Sequence, residues 1–126
     1  MTDTGWVFRK NSGAYAKNEW GYINGSYYFF DANGVMKTGW VFTDNAWYYL
    51  DPAVGGTQGR RMTGWVFDSA LNGYFYLYAS GVMQTGWQQI EGKWYYLNPV
   101  SDGRRGILLV NQQIDGYVVD ENGVRQ

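Results

Sequence analysis

Cysteine and histidine are both absent from the 126 residues. Without cysteine there is neither a disulfide framework nor a thiolate metal site. Without histidine the commonest general base and metal ligand is missing. A surplus of positive charge is lacking too: the formal net charge of −1 argues against a nucleic-acid binder, which needs Lys and Arg to displace counterions. Helix-favouring Leu and Ala are scarce. No apolar run approaches the roughly 18 residues of a membrane span, so membrane insertion is not expected. The opening residues Met1-Thr2-Asp3-Thr4 carry no signal-peptide pattern; an extracellular chain would therefore be a mature segment or excised module with Met1 added.

What the chain has in excess is aromatic side chains, 20% of all residues, and glycine, at 18 positions. These are distributed as a repeat, the first thing to look for in such a sequence. Trp20, Trp40, Trp65 and Trp87 open related segments at spacings of 20, 25 and 22 residues. Three of them follow glycine, as Gly39-Trp40, Gly64-Trp65 and Gly86-Trp87. An apolar cluster follows each tryptophan: Tyr27-Tyr28-Phe29-Phe30, Trp47-Tyr48-Tyr49-Leu50, Tyr74-Phe75-Tyr76-Leu77 and Trp94-Tyr95-Tyr96-Leu97. A short tag closes the segment, as in Gly34-Val35-Met36-Lys37-Thr38, Gly81-Val82-Met83-Gln84-Thr85 and Arg61-Met62-Thr63.

Each segment reads as one β-hairpin. Aromatic and β-branched residues favour strands, and Asn24-Gly25, Asp44-Asn45, Asn72-Gly73 and Glu91-Gly92 are turn formers. A lone hairpin is marginal in water, so tandem units are expected to stack into a solenoid. The expected fold is all-β, a solenoid of tandem β-hairpins forming a single repeat domain over 1–126. Its units are a degenerate first one (5–18), core hairpins at 19–38, 39–63, 64–85 and 86–105, and a C-terminal cap at 106–126. Strand alternation places Tyr48, Leu50, Tyr95 and Leu97 in the interior, with Trp47 and Tyr49 on the opposite face.

The unit written at Thr38 to Leu50 and at Gly81 to Trp87 resembles the choline-binding repeat, a cell-wall-binding repeat of bacterial autolysins, phage lysins and surface adhesins. The wider superfamily also includes glucan-binding repeats. The resemblance implies a left-handed superhelical stack. It also implies ligand cages between consecutive hairpins, each made from the Gly-Trp tryptophan, the first aromatic of the following cluster, the third aromatic of the next cluster, and a methionine. One implied cage is Trp20, Tyr27, Met36 and Tyr49. A second is Trp40, Trp47, Met62 and Tyr76, and a third is Trp65, Tyr74, Met83 and Tyr96. A fourth on Trp87 and Trp94 would need an aromatic at Val119 and is expected to be unused. An N-terminal cage on Trp6 and Phe29 would be degenerate. Departures from the family pattern are Glu19 in place of the glycine, and Tyr27 and Tyr74 in place of tryptophans.

The implied function is non-catalytic anchoring, as a secreted module, to choline-bearing teichoic acid at the bacterial surface. No cofactor is called for. Trimethylammonium has no hydrogen to donate, so aromatic faces recognise it through apolar contact and their quadrupole, at about 0.5–2 kcal/mol per face. Three faces approach the roughly −4 kcal/mol of a millimolar site, and several such sites on one polymer gain by effective concentration. The alternatives are a glucan- or wall-glycan-binding array, in which the same rings stack on sugars, and a structural array. The family also implies a homodimer surface in the C-terminal unit, where Ile107, Leu108, Leu109 and Val110 form an apolar run that would equally serve as a buried cap. Any single aromatic could be core instead of cage, and the methionines could be gap fillers. Asp31, Asp44, Asp51, Asp68, Glu91 and Asp115 fall at turns, where Asp satisfies backbone donors; no pair is singled out for catalysis. Arg60-Arg61 and Arg104-Arg105 fall in corresponding loops and are read as solvated or in contact with teichoic phosphates.

Overall fold

The computed structural model describes residues 7–10 and 12–126; Gly5 and Trp6 of the expected first unit, and with them the Trp6–Phe29 cage, lie outside these residues. Among the described residues ten strands and no helix are present. The strands pair antiparallel into five separate two-stranded sheets. β1 (Glu19–Ile23) pairs with β2 (Ser26–Phe30), β3 (Gly39–Thr43) with β4 (Ala46–Leu50), and β5 (Gly64–Asp68) with β6 (Gly73–Leu77). β7 (Gly86–Ile90) pairs with β8 (Lys93–Leu97), and β9 (Gln112–Ile114) with β10 (Tyr117–Val119). These are the hairpins expected from the repeat, with the cap forming a fifth. In front of them, in the expected degenerate unit 5–18, Arg9 and Tyr15 form a single bridge.

Four of the hairpins turn on two residues: Asn24-Gly25, Asp44-Asn45, Glu91-Gly92 and Asp115-Gly116. Both residues have positive φ in every case, which a type I′ turn demands and which Asn, Asp and Gly tolerate best. The connection 69–72 is longer. There the buried Asp68 carboxylate accepts the N–H groups of Ala70 and Leu71 at 2.8 and 3.1 Å. Asp31, Asp51 and Asp120 likewise turn the chain just after a hairpin, each accepting a backbone N–H two residues on at 2.9 Å. Asn98 does the same at 3.0 Å.

After each hairpin a single residue bridges back to the end of its second strand. The bridges are Phe30–Met36, Leu50–Arg61, Leu77–Met83, Leu97–Leu108 and Val119–Arg125. They define structural equivalence where spacing is misleading, because the connectors 51–60 and 98–107 are five residues longer than the others. The position that reads Met36 and Met83 is therefore Arg61, Leu108 and Arg125 in the other repeats. Met62 is equivalent to Lys37 and Gln84: all three donate their N–H to the penultimate residue of the hairpin, Tyr49, Phe29 and Tyr76.

The chain forms two compact units, Met1–Met62 and Thr63–Gln126. In the first, Phe30 and Leu50 are 2% and 0% exposed, and Phe8 stacks on Phe30 at 5.9 Å. Gly21 makes room for that stack, since a Cβ there would lie 3.0 Å from Phe30 and 3.3 Å from Phe8. In the second unit Phe75, Leu77, Leu97 and Val119 are buried, each worth about 1.5–3 kcal/mol against exposure. The run 107–110 is partly absorbed here: Ile107 is buried against Gly73, and Leu108 packs on the backbone at Gly123.

Two kinds of glycine are distinguishable. Gly39, Gly64 and Gly86, which precede the repeat tryptophans, have φ of 75–77° with open space where a Cβ would stand. Gly59 and Gly106 also have positive φ, but their faces are covered by the side chains of Met36 and Met83. Gly86→Ala is accordingly expected to cost about 1–2 kcal/mol, the left-handed penalty alone. Gly106→Ala should cost measurably more, because Met83 must also move; urea denaturation of the two variants checks the order.

Candidate functional site

Alternation gives each hairpin two faces. Trp20, Tyr22, Tyr27 and Phe29 project from one face of the first hairpin, with Tyr28 and Phe30 on the other. Directly opposed residues make the ring pairs. Trp20–Phe29, Trp40–Tyr49, Trp65–Tyr76 and Trp87–Tyr96 have centroids 4.7–5.1 Å apart. Tyr22–Tyr27, Phe42–Trp47 and Phe67–Tyr74 lie at 4.7–5.2 Å. Such tilted and edge-to-face pairs contribute about 0.5–1.5 kcal/mol beyond their burial.

Within each unit the tryptophan face of one hairpin meets the opposite face of the next. In the first unit Trp20 takes the ring of Tyr48 edge-on at 4.9 Å. In the second, Trp65 takes Tyr95 at 5.0 Å and Trp87 takes Tyr117 at 5.8 Å. The wall reached from the following hairpin is thus the second residue of its cluster. Tyr49 and Tyr96 lie on the same face as their own tryptophans and pack there, against Trp40 and Trp87. The physical reason is the two-residue period of the strand: a hairpin turns its first and third cluster residues toward the next repeat and its second and fourth toward the previous one.

A cation lies among the rings in two of these places. The Arg61 guanidinium carbon is 4.1 Å from the Tyr27 centroid, 5.1 Å from Trp20 and 5.8 Å from Tyr48. That of Arg125 is 4.1 Å from Tyr117, 5.0 Å from Trp94 and 5.3 Å from Trp87. Each arginine is fixed by its backbone N–H, donated to the preceding hairpin: Arg61 to the Tyr27 carbonyl at 2.8 Å and Arg125 to that of Trp94 at 2.9 Å. Leu108 makes the equivalent bond to the Tyr74 carbonyl at 2.8 Å. Trp65, Tyr74 and Tyr95 therefore form a third arrangement of the same kind with an aliphatic side chain in the arginine position. Trp65 and Tyr74 are 37% and 50% exposed.

The sequence-derived residues are distributed as follows. Trp20 and Tyr27 come together, with Tyr48 as the third ring; Met36 packs instead on Gly59 and Tyr49 on Trp40. Trp65 and Tyr74 share a face, with Tyr95 across from Trp65; Met83 packs on Gly106, and Tyr96 on Trp87. Trp40, Trp47 and Met62 belong to the first unit and Tyr76 to the second, where it lies against Trp65. The site on Trp87 and Trp94, expected to lack a wall for want of an aromatic at Val119, is walled by Tyr117, while Val119 is fully buried. Tyr117 stands at the position of Tyr48 and Tyr95, and strand alternation is the signal that would have found it.

The paired arginines also separate. Arg60-Arg61 corresponds to Ile107-Leu108 and not to Arg104-Arg105, because the bridge to the hairpin end falls on Arg61 and Leu108. Arg61 is folded over rings, whereas Arg104 is an exposed loop residue donating from Nη2 to the Leu71 carbonyl at 2.9 Å. No group of three or more acidic ligands suited to a metal occurs among the described residues. Away from these rings, Glu19 is held below the usual carboxylate range by the Lys17 N–H it accepts and then by the Lys10 ammonium, 3.2 Å away.

Tandem hairpins whose tryptophan faces are met by a ring of the following hairpin define an aromatic hairpin repeat. Residues 20–57 match the choline-binding repeat, and 63–83 and 85–99 the putative cell wall binding repeat. Between residues 20 and 99 the chain belongs to the choline-binding repeat family. Among solved structures it is similar to choline binding protein F of Streptococcus pneumoniae, at 39% identity and TM-score 0.79, over 99% of this chain and 38% of that one. CbpJ of S. pneumoniae TIGR4 matches at 32% identity and TM-score 0.68, over 99% and 46%. The pneumococcal cell wall endolysin from phage Cp-1, solved in complex with choline, matches at 32% identity and TM-score 0.64, over 99% and 35%. The chain thus spans less than half the length of each. A comparison with curated protein sequences finds no match.

A side-chain hydrogen bond also joins the fifth hairpin to the fourth: the Trp87 indole N–H donates to Asp115 Oδ2 at 2.9 Å. Trp87→Phe should retain ring packing and lose about 1 kcal/mol for the hydrogen bond. Asp115→Asn, which keeps the turn residue and an acceptor, should lose less, as measured by urea unfolding.

Proposed function

We propose that the chain is a non-catalytic module that associates with a bacterial cell wall by binding choline residues of teichoic acid, and that Trp65, Tyr74 and Tyr95 with Leu108 form one site for the trimethylammonium group. The observation that carries this reading is chemical equivalence. At the matching position in two other repeats a guanidinium lies over three rings; here that position is Leu108, whose side chain lies against Gly123 and brings no cation to Trp65, Tyr74 and Tyr95. A trimethylammonium group needs negative ring faces for its charge and apolar surface for its methyls. Trp65, Tyr74 and Tyr95 supply the first, Leu108 adds to the second, and the exposure of Trp65 and Tyr74 leaves an approach from solvent.

Three faces at about 0.5–2 kcal/mol each correspond to a dissociation constant on the order of millimolar, and repetition along a choline-bearing polymer multiplies the effect. The choline complex of the phage Cp-1 endolysin, 32% identical to this chain, supports the ligand class. Trp40 and Trp47 recur at the positions of Trp65 and Tyr74 and enter the proposal on that pattern.

Titration with choline chloride, followed by tryptophan fluorescence, is expected to saturate at millimolar concentration. The response should be lost in Trp65→Ala and Tyr74→Ala variants that remain folded by circular dichroism. A flat choline titration would overturn the reading, and a response to glucose oligomers in its place would reassign the rings to a glycan.

A further inference from the structure

We infer that Arg61 and Arg125 are resident cations: each occupies an aromatic cage of its own chain, closes it to an external quaternary ammonium, and holds two consecutive hairpins together when no ligand is bound. The inference rests on the choline reading only for the ligand class. Its structural basis is separate and occurs twice. Both guanidinium carbons lie within 5.8 Å of three ring centroids. In each case two of the rings belong to the earlier hairpin and one to the later. Both arginines leave the chain at the one position after a hairpin that is bonded to the preceding hairpin, so the connector itself delivers the side chain to the rings.

Partnership points the same way. Among the described residues neither Arg61 nor Arg125 has a carboxylate within ion-pair distance, as Lys10 and Glu19 have in each other. Their rings are their principal charge partners. A second cation brought to the same three faces would meet the first at contact distance, where like charges repel and the attractive surface is already used. A tethered guanidinium also acts at an effective concentration that a millimolar free ligand does not match. The remaining residues at this position, Met36, Met83 and Leu108, are uncharged and lie on the glycines Gly59, Gly106 and Gly123. Whether a cage is open to a ligand is thus decided by one residue in a fixed backbone setting.

Calorimetric titration with choline chloride of the wild type, Arg61→Leu, Arg125→Leu and the double variant tests this directly, leucine being the residue already present at 108. Each substitution should add one bound choline per chain. The ligand-free melting temperature should fall and recover at saturating choline. Arg61→Lys, which keeps a cation, should add none. Unchanged stoichiometry in variants folded by circular dichroism overturns the inference, whether or not the wild type binds choline at its Trp65 site. For the wild type itself, the side-chain methylene protons of Arg61 and Arg125 should be shifted upfield by the rings and stay so throughout a choline titration. Their movement to ordinary arginine positions would overturn it even if the variants did not fold.

Discussion

Two strands five residues long, joined by a two-residue turn, cannot by themselves remove much surface from water, and everything else in this chain follows from that constraint. An isolated hairpin has no inside. It gains one only when the next repeat is laid against it, so both of its faces must be covered by something shaped to fit. Large flat rings meet this need with few residues, because each brings 150–250 Å² of buriable surface and a preferred tilted geometry. The repeat is therefore aromatic before it is a binding device. The cages arise where ring faces from two hairpins converge and the backbone cannot fill the space between them.

That space has to be occupied by something apolar, cationic or both, and the chain offers three solutions at one position. Methionine and leucine lie back onto a glycine of the following connector, leaving the rings to other partners. Arginine enters the rings itself. The glycines that receive Met36, Met83 and Leu108 are as much a part of this arrangement as the rings, since a Cβ at any of them would collide with the side chain it receives. Binding and cohesion are then two uses of the same surface, and a repeat that serves one gives up some of the other.

Much of the fold was legible in the residues. The Trp spacing, the apolar clusters and the Asn-Gly, Asp-Asn and Glu-Gly turns fix four hairpins, because turn type and the two-residue strand period leave little freedom. Trp20 with Tyr27 and Trp65 with Tyr74 were likewise readable as shared faces. The ring that each following hairpin lays on the tryptophan was assigned elsewhere: alternation separates the two faces correctly, but the face of Tyr48 and Tyr95 reads as solenoid interior, when those rings meet Trp20 and Trp65 of the preceding hairpin. The role of Arg61 was hidden by a different cause. The insertion in 51–60 shifts the apparent alignment by one residue, so that Met62 looks like Met36 when its backbone partner makes it equivalent to Lys37. Only the bridge from Leu50 to Arg61 restores the register.

The position shared by Met36, Arg61, Met83, Leu108 and Arg125 also bears on how such arrays diversify. Methionine and one of the arginine codons, AUG and AGG, differ by a single base, as do leucine CUG and arginine CGG. The backbone bond that fixes this position uses the main-chain N–H and is indifferent to the side chain. On the resident-cation inference, point mutation at one codon would convert a repeat from ligand-receiving to self-sealed and back again without a change of register or turns. On that inference the valency of such an array, and with it its avidity for a polymeric surface, would be set codon by codon at a fixed length.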